Sequence, residues 1–571
     1  MRAQLKLADT ALIARQIAAT PFVDDVRALS DPFAAASEET VQAILDEAAR
    51  FALEFLEPLN EQGDRLGCTV VEGRVKTVPL HAPAWRAYAE AGWLTMDLPL
   101  EFGGQELPQF LVAAVQEVLD RSCTAFGMMP VPNRSAARLL GAFAPDDVRQ
   151  EWLPRLSTGE WGATICISEV GAGSDVPRLR TTATQDGGMW RVTGEKQWIS
   201  FGDQDITARI GHCLLARTAG AKGLSLFLVP DHFDGARNGI TVRRLEEKLG
   251  LHLSPTCALS FEDARAILLG EEGRGLAQMF VMIALMRTAV GVQGVAAASG
   301  AFDAAFAYAG ERRQGGRGAE PTMIRDHADV RRMLLTMASK GDVLRAFTLA
   351  LTAMVDLARL DPDLDRRSEF DAMVQWMLPM LKTVGGEIGF DVASEAIQVF
   401  GGAGFTREWP VEQMLRDARV LTIYEGTTGM QAQDILHRRL WRDAGRAQAL
   451  FLQMARADAM SGAAGASDDL TEVYRLLEES ADWLSARQDQ TAAGAVAADA
   501  GATPFLRLSA LAVMGWSAAR MAVIAGEDAA SRRLRASGRH FLIGIADRAR
   551  LLTGEIRNGG DAVDLFGELG A

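Results

Sequence analysis

Cysteine is sparse and unpaired in this chain. Cys68, Cys123, Cys166, Cys213 and Cys257 are five in number, scattered, and include no CxxC pair, which speaks against a disulfide framework or a zinc site and fits a reducing compartment. The seven histidines stand apart from one another, so surface or capping roles account for them and no metal is expected. Walker A loops, HExxH helices and GxSxG elbows are missing, and "GGAGF" at 401–405 departs from the GxGxxG order of a dinucleotide loop. Positive charge is in deficit: a net charge of -15 argues against general affinity for nucleic acid or anionic membrane, while leaving room for a local basic pocket. No window holds about 18 uninterrupted apolar residues. The opening "MRAQLKLADTALIARQ" has no apolar leader or small-residue cleavage site. The expectation is a cytoplasmic protein without a membrane span, whose partners are small molecules or proteins.

What is present is an ordinary globular composition, 48% hydrophobic and 23% charged over 571 residues, long enough for two to four domains. From Ser37 to about residue 160 the apolar spacing is helical, beginning with a capping Ser37, the dipole-matched Glu38 and Glu39, and an apolar face from Val41 to Leu56. Between about 161 and 275 the texture changes to short strand-length runs such as "HCLLAR", "LSLFLVP" and "CALSFED", separated by Gly, Pro and Asp. Long helical patterns resume from 276 and suit a bundle. "SGAAGASDD" at 461–469 reads as a linker into an Ala-rich helical tail, with a second flexible patch at "TAAGAVAADAGATP". The expected fold class is mainly α with an inserted β domain, a small barrel or sandwich, partitioned as 1–160, 161–275, 276–445 and a C-terminal helical extension over 446–571.

Three stretches carry candidate chemistry. "ICISEVGAGSDV" (165–176) runs from a short strand into a Gly-rich turn whose backbone N–H groups and hydroxyls can hold anionic or carbonyl-rich ligands. "GEKQWIS" (194–200) supplies Trp198, a ring broad enough to cover a planar heteroaromatic ligand. "LTIYEGTTGMQAQDIL" (421–436) places Glu425 directly after a strand-like apolar approach, Leu421 to Tyr424, and before a Gly-Thr-Thr-Gly break. Taken singly, each also has a plain packing or capping explanation.

Their order, together with "EKLGLHLSPTCALSFEDARAILLGEEGRG" (247–275), "AYAGERRQGG" (307–316), "IQVFGGAGF" (397–405) and "PVEQMLRDAR" (410–419), resembles the acyl-CoA dehydrogenase family from about Ala87 to Leu440. The tail and "HADVRRMLL" (327–335) are most similar to the long branch containing methylthiopropanoyl-CoA dehydrogenases. The resemblance implies a helical N-terminal domain, a β domain, a four-helix bundle and bound FAD. Ile165, Ile167 and Ser168 match the strand facing the flavin, Trp198 its covering indole, and Ser200 a hydroxyl toward the flavin phosphate side. Arg312 matches a pyrophosphate-binding arginine, Gln398, Gly401 and Gly402 a segment reaching the adenosine half from a neighbouring subunit, and Thr427 a further cofactor contact. Ser174, Tyr424 and Arg287 are the candidate substrate contacts. Val170 stands where the family commonly has proline, Gly315 where it has an aromatic residue, and Gly429 where it has glutamine.

The resemblance assigns Glu425 as the base that removes the proton next to a thioester carbonyl. A carboxyl group in a water-poor pocket resists ionisation and gains driving force for that transfer, and the backbone N–H beside it can stabilise the charge developing on the thioester oxygen. The alternative is a first-turn acid serving only the dipole of the helix that starts near Thr428. Some branches place the base just before an arginine in the first bundle helix, where this chain has Met286 before Arg287. The implied reaction is oxidation of an acyl-CoA to a trans-2-enoyl-CoA, with electrons passed to an electron-transferring flavoprotein by a homodimer or homotetramer. An acyl-CoA oxidase and a non-catalytic assembly protein on the same scaffold are the alternatives.

Overall fold

The computed structural model describes residues 7–488 and 492–569. Contacts divide the chain into two compact units interleaved in sequence: Met1–Glu47, Pro108–Arg121 and Val290–Ala571 form one, Ala48–Leu107 and Ser122–Ala289 the other.

The second unit is built on a sheet. A hairpin, β1 (Thr69–Val71) and β2 (Arg74–Lys76), turns at Glu72 and Gly73, both at positive φ. It interrupts the section expected to be helical, and its three-residue strands are too short to show alternation in sequence. The remaining strands are β3 (Trp161–Cys166), β4 (Thr182–Asp186), β5 (Met189–Ser200), β6 (Arg209–Thr218), β7 (Leu224–Pro230), the two-residue pair β8 (His232–Phe233) and β9 (Ala236–Arg237), β10 (Ile240–Leu245) and β11 (Thr256–Leu269). β11, β5, β4, β6 and β7 pair in a closed ring, with β10 added on β11 and β3 on β6. The inserted β region is thus a small barrel. Alternation along β6 divides its two faces: Leu214 and Ala216 join Phe227, Phe261 and Ala266, whereas Cys213 and Leu215 pack with Trp152, Leu153 and Leu156 of the Asp146–Ser157 helix.

The first unit is helical. It contains α1 (Thr10–Ala18), the part of α2 (Gln109–Gly127) up to Arg121, the part of α3 (Gly275–Glu311) from Val290 onward, α4 (Ala328–Leu360) and α5 (Leu364–Phe400). Beyond these come α6 (Thr428–Gln433), α7 (Arg446–Ser461), α8 (Asp468–Ser485), α9 (Ala492–Met521), α10 (Ala529–Leu542) and α11 (Ile545–Phe566). Small residues bring α3 and α5 together: a Cβ on Gly294 would lie 2.1 Å from the Gly385 carbonyl oxygen. Around that crossing Ala298, Ala301 and Ala305 of α3 pack with Met337 of α4 and Val392 and Ala396 of α5. By length and composition alone, α3 and Gly494–Met521 could cross a membrane, but most of each apolar window is buried inside the protein.

The tail is tied into this unit by a buried ionic network. Arg345 on α4 donates to both carboxylate oxygens of Glu117 on α2, to Asp342, and to the side-chain oxygen of Gln16 on α1. Asp342 also accepts from Arg533 and Ser537 on α10. Four helices distant in sequence share one desolvated charge cluster, so removal of any member strands the others. The 461–469 stretch expected to be a linker is mostly the short turn between α7 and α8, held by Ala464, which is buried, and by Gly465 N–H donating to the Ala519 carbonyl at 2.9 Å. The patch expected to be flexible over 491–504 is, from Ala492 onward, the first part of α9; Thr491 lies outside the described residues.

Candidate active site

The approach to Glu425 is not strand-like. The Val411–Ala418 helix runs straight into a 3₁₀ turn, Arg419–Thr422, and Ile423 N–H and Tyr424 N–H both return to the Val420 carbonyl. Leu421 is buried while Ile423 is exposed, as expected where a tight turn rather than a pleat sets the side-chain directions. Glu425 then adopts φ 54, a left-handed conformation that persists in a non-glycine residue only when its surroundings enforce it.

Those surroundings act through the backbone. Lys382, fully buried on α5, donates from Nζ to the Gly426 carbonyl at 2.5 Å. Gln431 on α6, also fully buried, donates from Nε2 to the carbonyls of Glu425 at 3.1 Å and Gly426 at 3.4 Å. One turn along α5 from Lys382, a Cβ on Gly386 would meet the Leu421 carbonyl carbon at 2.9 Å, so the helix backbone itself forms the floor of the loop. Glu425 is half-buried above it. Tyr424 packs with Val290 and Leu421 and donates its hydroxyl to the side-chain oxygen of Gln293 on α3. Burial, followed by the carboxylates of Asp120 and Glu425, holds the Tyr424 phenol well above its ordinary pKa, so it remains a donor. Asp120 itself accepts from Gln116 Nε2, one turn back on α2, at 2.9 Å. Thr427 is the exposed N-cap residue of α6 and Gly429 lies exposed in its first turn.

Arg312, Gln398, Gly401 and Gly402 gather at one end of the bundle, where Tyr308 of α3 stacks on Phe400 of α5 with ring centroids 4.2 Å apart. Arg312 follows α3 and exposes its guanidinium; Gln398 is exposed on the last turn of α5. Gly401 ends that helix at φ 61, and open space lies where a Cβ on Gly401 or Gly402 would project. Phe405 beside them is 87% exposed. Gly315 also takes a left-handed φ of 64, which favours glycine over the aromatic residue common there.

In the barrel unit, Ile165 lies on β3, and Ile167 and Ser168 continue its end, all half-buried. Trp198 occupies a β-bulge: the β5 to β11 register shifts between the Ile199–Cys257 and Lys196–Leu259 pairs, and Trp198 takes φ 64. The extra residue redirects its ring outward, 58% exposed. Ser168 and Trp198 are brought near one another by the Gln197 N–H, which donates to the Ser168 carbonyl at 2.9 Å. Ser200 pairs with Thr256 farther along β5.

Beneath the bulge lies Lys196, fully buried, donating to the carbonyls of Ile167 at 3.0 Å and Leu215 at 2.9 Å and to Glu169 Oε1 at 2.8 Å. Burial opposes the Glu169 charge, but Lys196 and the backbone amides of Arg180 and Thr181 outweigh it and hold the carboxyl below its ordinary pKa. This closes the base of the Gly-rich turn. Its tip, with Val170, Gly171, Gly173 and Ser174, is exposed. Arg287 is half-buried on α3.

Lys382, Gln431, Gln293 and Gly386 were not singled out by sequence, nor were Lys196 and Glu169. Two carried a signal: Lys382 interrupts the apolar run "MLPMLKTVGG", and Lys196 shares the inward phase of Val192 on β5.

Family models for the N-terminal, middle and C-terminal domains of acyl-CoA dehydrogenases match residues 38–160, 164–264 and 273–440. The chain is 36% identical over 513 residues to 3-methylmercaptopropionyl-CoA dehydrogenase of Ruegeria pomeroyi, spanning 86% of this chain and 87% of that one. It belongs to the acyl-CoA dehydrogenase family. Among solved structures, an acyl-CoA dehydrogenase from Bacillus anthracis complexed with FAD shares the fold, with a TM-score of 0.76 at 21% identity, covering 91% of this chain and 88% of that one. A chain from a study of the electron transferring flavoprotein of Acidaminococcus fermentans aligns with a TM-score of 0.58 at 26% identity, over 70% of this acyl-CoA dehydrogenase and 98% of that chain. The tail beyond residue 440 lies outside the three family models.

The residues present suit FAD. An outward-turned indole, a strand end with a serine hydroxyl, an exposed guanidinium with a planar fork of donors, and two glycines facing open space are the groups that an isoalloxazine and a pyrophosphate require.

Proposed function

We propose that this acyl-CoA dehydrogenase converts an acyl-CoA thioester to its trans-2-enoyl form, with Glu425 Oε taking the proton from the carbon next to the carbonyl. FAD, when bound, accepts the hydride from the following carbon. The observation that carries this reading is the left-handed Glu425, held by Lys382 and Gln431 through its own and the next carbonyl. That restraint acts on the backbone and fixes where the carboxyl emerges. A fixed carboxylate reduces the entropy lost in reaching the proton. The backbone N–H of Glu425 meets the thioester oxygen as charge develops there. Ile165, Ile167, Ser168, Trp198 and Ser200 hold the flavin; Arg312 binds the pyrophosphate; Gln398, Gly401 and Gly402 serve the FAD of a neighbouring subunit, and Thr427 completes the cofactor contacts. Ser174 and Arg287 attend the CoA portion, and Tyr424 lines the acyl side. The enzyme acts in the cytoplasm as a homodimer or homotetramer and passes its electrons to an electron-transferring flavoprotein.

Glu425→Gln keeps the shape and removes the basic oxygen. Anaerobic mixing of the yellow variant with an acyl-CoA panel should bleach the flavin slower by several orders of magnitude, on the order of 10³ or more, with FAD content unchanged. Bleaching near the wild-type rate would reject the assignment.

A further inference from the structure

The tail beyond residue 440 packs against the two helices that hold the Glu425 loop. Its helix α9 lies along both α6 and α5, and it reaches toward each with one charged side chain. Asp499 Oδ1 accepts from Gln433 Nε2 at 3.3 Å and from His437 Nε2 at 3.0 Å. About two turns farther along α9, Arg507 forks onto the Glu387 carboxylate of α5, with Nη2 to Oε1 at 2.8 Å and Nε to both oxygens at 3.3 Å. Each contact lies beside a residue that bears on the loop. Gln433 follows Gln431 on α6, and Glu387 is next to Gly386 on α5.

Helix α6 needs such support. It passes without a break into π-helical turns over Asp434–Arg442, a form that seldom runs beyond a single turn. Asp499 spans that junction, holding Gln433 on the α-helical side and His437 on the π-helical side. Farther on, Trp441 Nε1 donates to the Leu484 carbonyl of α8 at 3.3 Å. On α5, the two-pronged contact of Arg507 sets direction as well as distance. Both ion pairs are partly exposed, so each contributes little to folding as a whole. What they set is the spacing of α5 and α6. Lys382 from α5 and Gln431 from α6 converge on the Gly426 carbonyl, so that carbonyl, and Glu425 just ahead of it, follows the spacing of the two helices.

We propose that α9 braces the Glu425 loop, with Asp499 and Arg507 as positioning residues for the reaction. They act through Gln431 and Lys382 and not on the reacting atoms: Asp499 holds α6, Arg507 holds α5, and the loop clamped between those helices keeps the carboxyl at one place. Both residues lie outside the three matched family domains, so the brace belongs to the tail. The inference rests on Glu425 as the base.

The test uses the full-length, FAD-loaded protein. Asp499→Ala and Arg507→Gln each place a good helix former at an exposed position of α9, so the urea midpoint and FAD content should stay at wild-type values. The limiting rate of anaerobic flavin bleaching by saturating acyl-CoA should fall by about three- to tenfold in each, short of the roughly hundredfold cost of a full ångström of misplacement. The acyl-CoA concentration for half-maximal rate should not move. Amide hydrogen exchange at residues 426–431 should quicken in both variants. Arg507→Gln combined with Glu387→Gln should be no slower than the slower single variant, because both act through one pair. Unchanged rates overturn the proposal, as do rates that fall only in step with the midpoint or FAD content, or that fall while exchange at 426–431 stays the same. Glu425→Gln measured alongside separates the two readings. Near wild-type bleaching there removes the base and the brace with it, whereas slow bleaching there beside unchanged rates in the α9 variants removes the brace alone.

Discussion

Glu425 and Trp198 sit in different units on unrelated local structure, one on a loop between helices and the other in a barrel strand, yet both take a left-handed backbone and both have a buried lysine nearby. Lys382 reaches from a helix to the carbonyl that follows Glu425. Lys196, two residues before Trp198, reaches carbonyls on two neighbouring strand segments and also neutralises Glu169. In each case the ammonium restrains the peptide frame by bonding backbone carbonyls. The difference is in what each lysine must balance. Lys196 carries an ion pair, so barrel stability and ring position are tied together; the contacts described for Lys382 bear on the loop itself.

The largest effect should therefore come from the barrel. Lys196→Met leaves Glu169 buried without its cation, a loss of about 3–5 kcal/mol, read as a lower urea midpoint together with lower FAD content. An intact midpoint would show that the two lysines are equivalent after all.

Acid separates the units next. Two histidines depart from the surface or capping role expected of them: His81 and His212, both in the barrel unit, are fully buried, and burial lowers their pKa to about 3 and about 4. The unfolded chain takes up these protons below about pH 6.5 and the folded chain does not. Stability is thus complete above that pH and falls by up to about 1.4 kcal/mol per histidine per pH unit as pH drops toward the folded values. Unfolding followed between pH 7.5 and 5 should show this slope, and His81→Phe, packed between Phe126 and Phe201, should flatten it.

Lys382→Met should leave folding and FAD content close to wild type and lower the rate of flavin bleaching by about ten- to a hundredfold, equivalent to the roughly 1.5–3 kcal/mol of a charge-assisted hydrogen bond. Loss of FAD instead would move Lys382 from loop positioning to cofactor binding. The smallest effect is expected from Gly386→Ala, whose methyl group pushes on Leu421 at a cost of about 1–3 kcal/mol, appearing mainly in kcat.

Much of this was legible in the sequence. The order of textures gave the helix, barrel, helix succession, and the motifs led to Glu425, Trp198 and the Arg312 segment. The clamps were hidden for a physical reason: Glu169 and Lys196 are separated by a whole turn and strand, and Lys382 and Gly426 by a helix and two turns, so their meeting depends on tertiary packing that periodicity does not encode. The Trp198 bulge was hidden because one inserted residue leaves composition unchanged. The Ala-Gly stretch at the start of α9 misled in the opposite direction. Gly501 there lies so near α11 that a Cβ would be 3.1 Å from the Ile556 carbonyl oxygen; its small residues serve close packing and not freedom.

The backbone contact between Gly294 and Gly385 leaves α3 and α5 no slack. Sliding one past the other by a helical turn would drive side chains into a crossing built for none, so the two behave as a single strut. Heating should loosen the connecting loops before it loosens that strut.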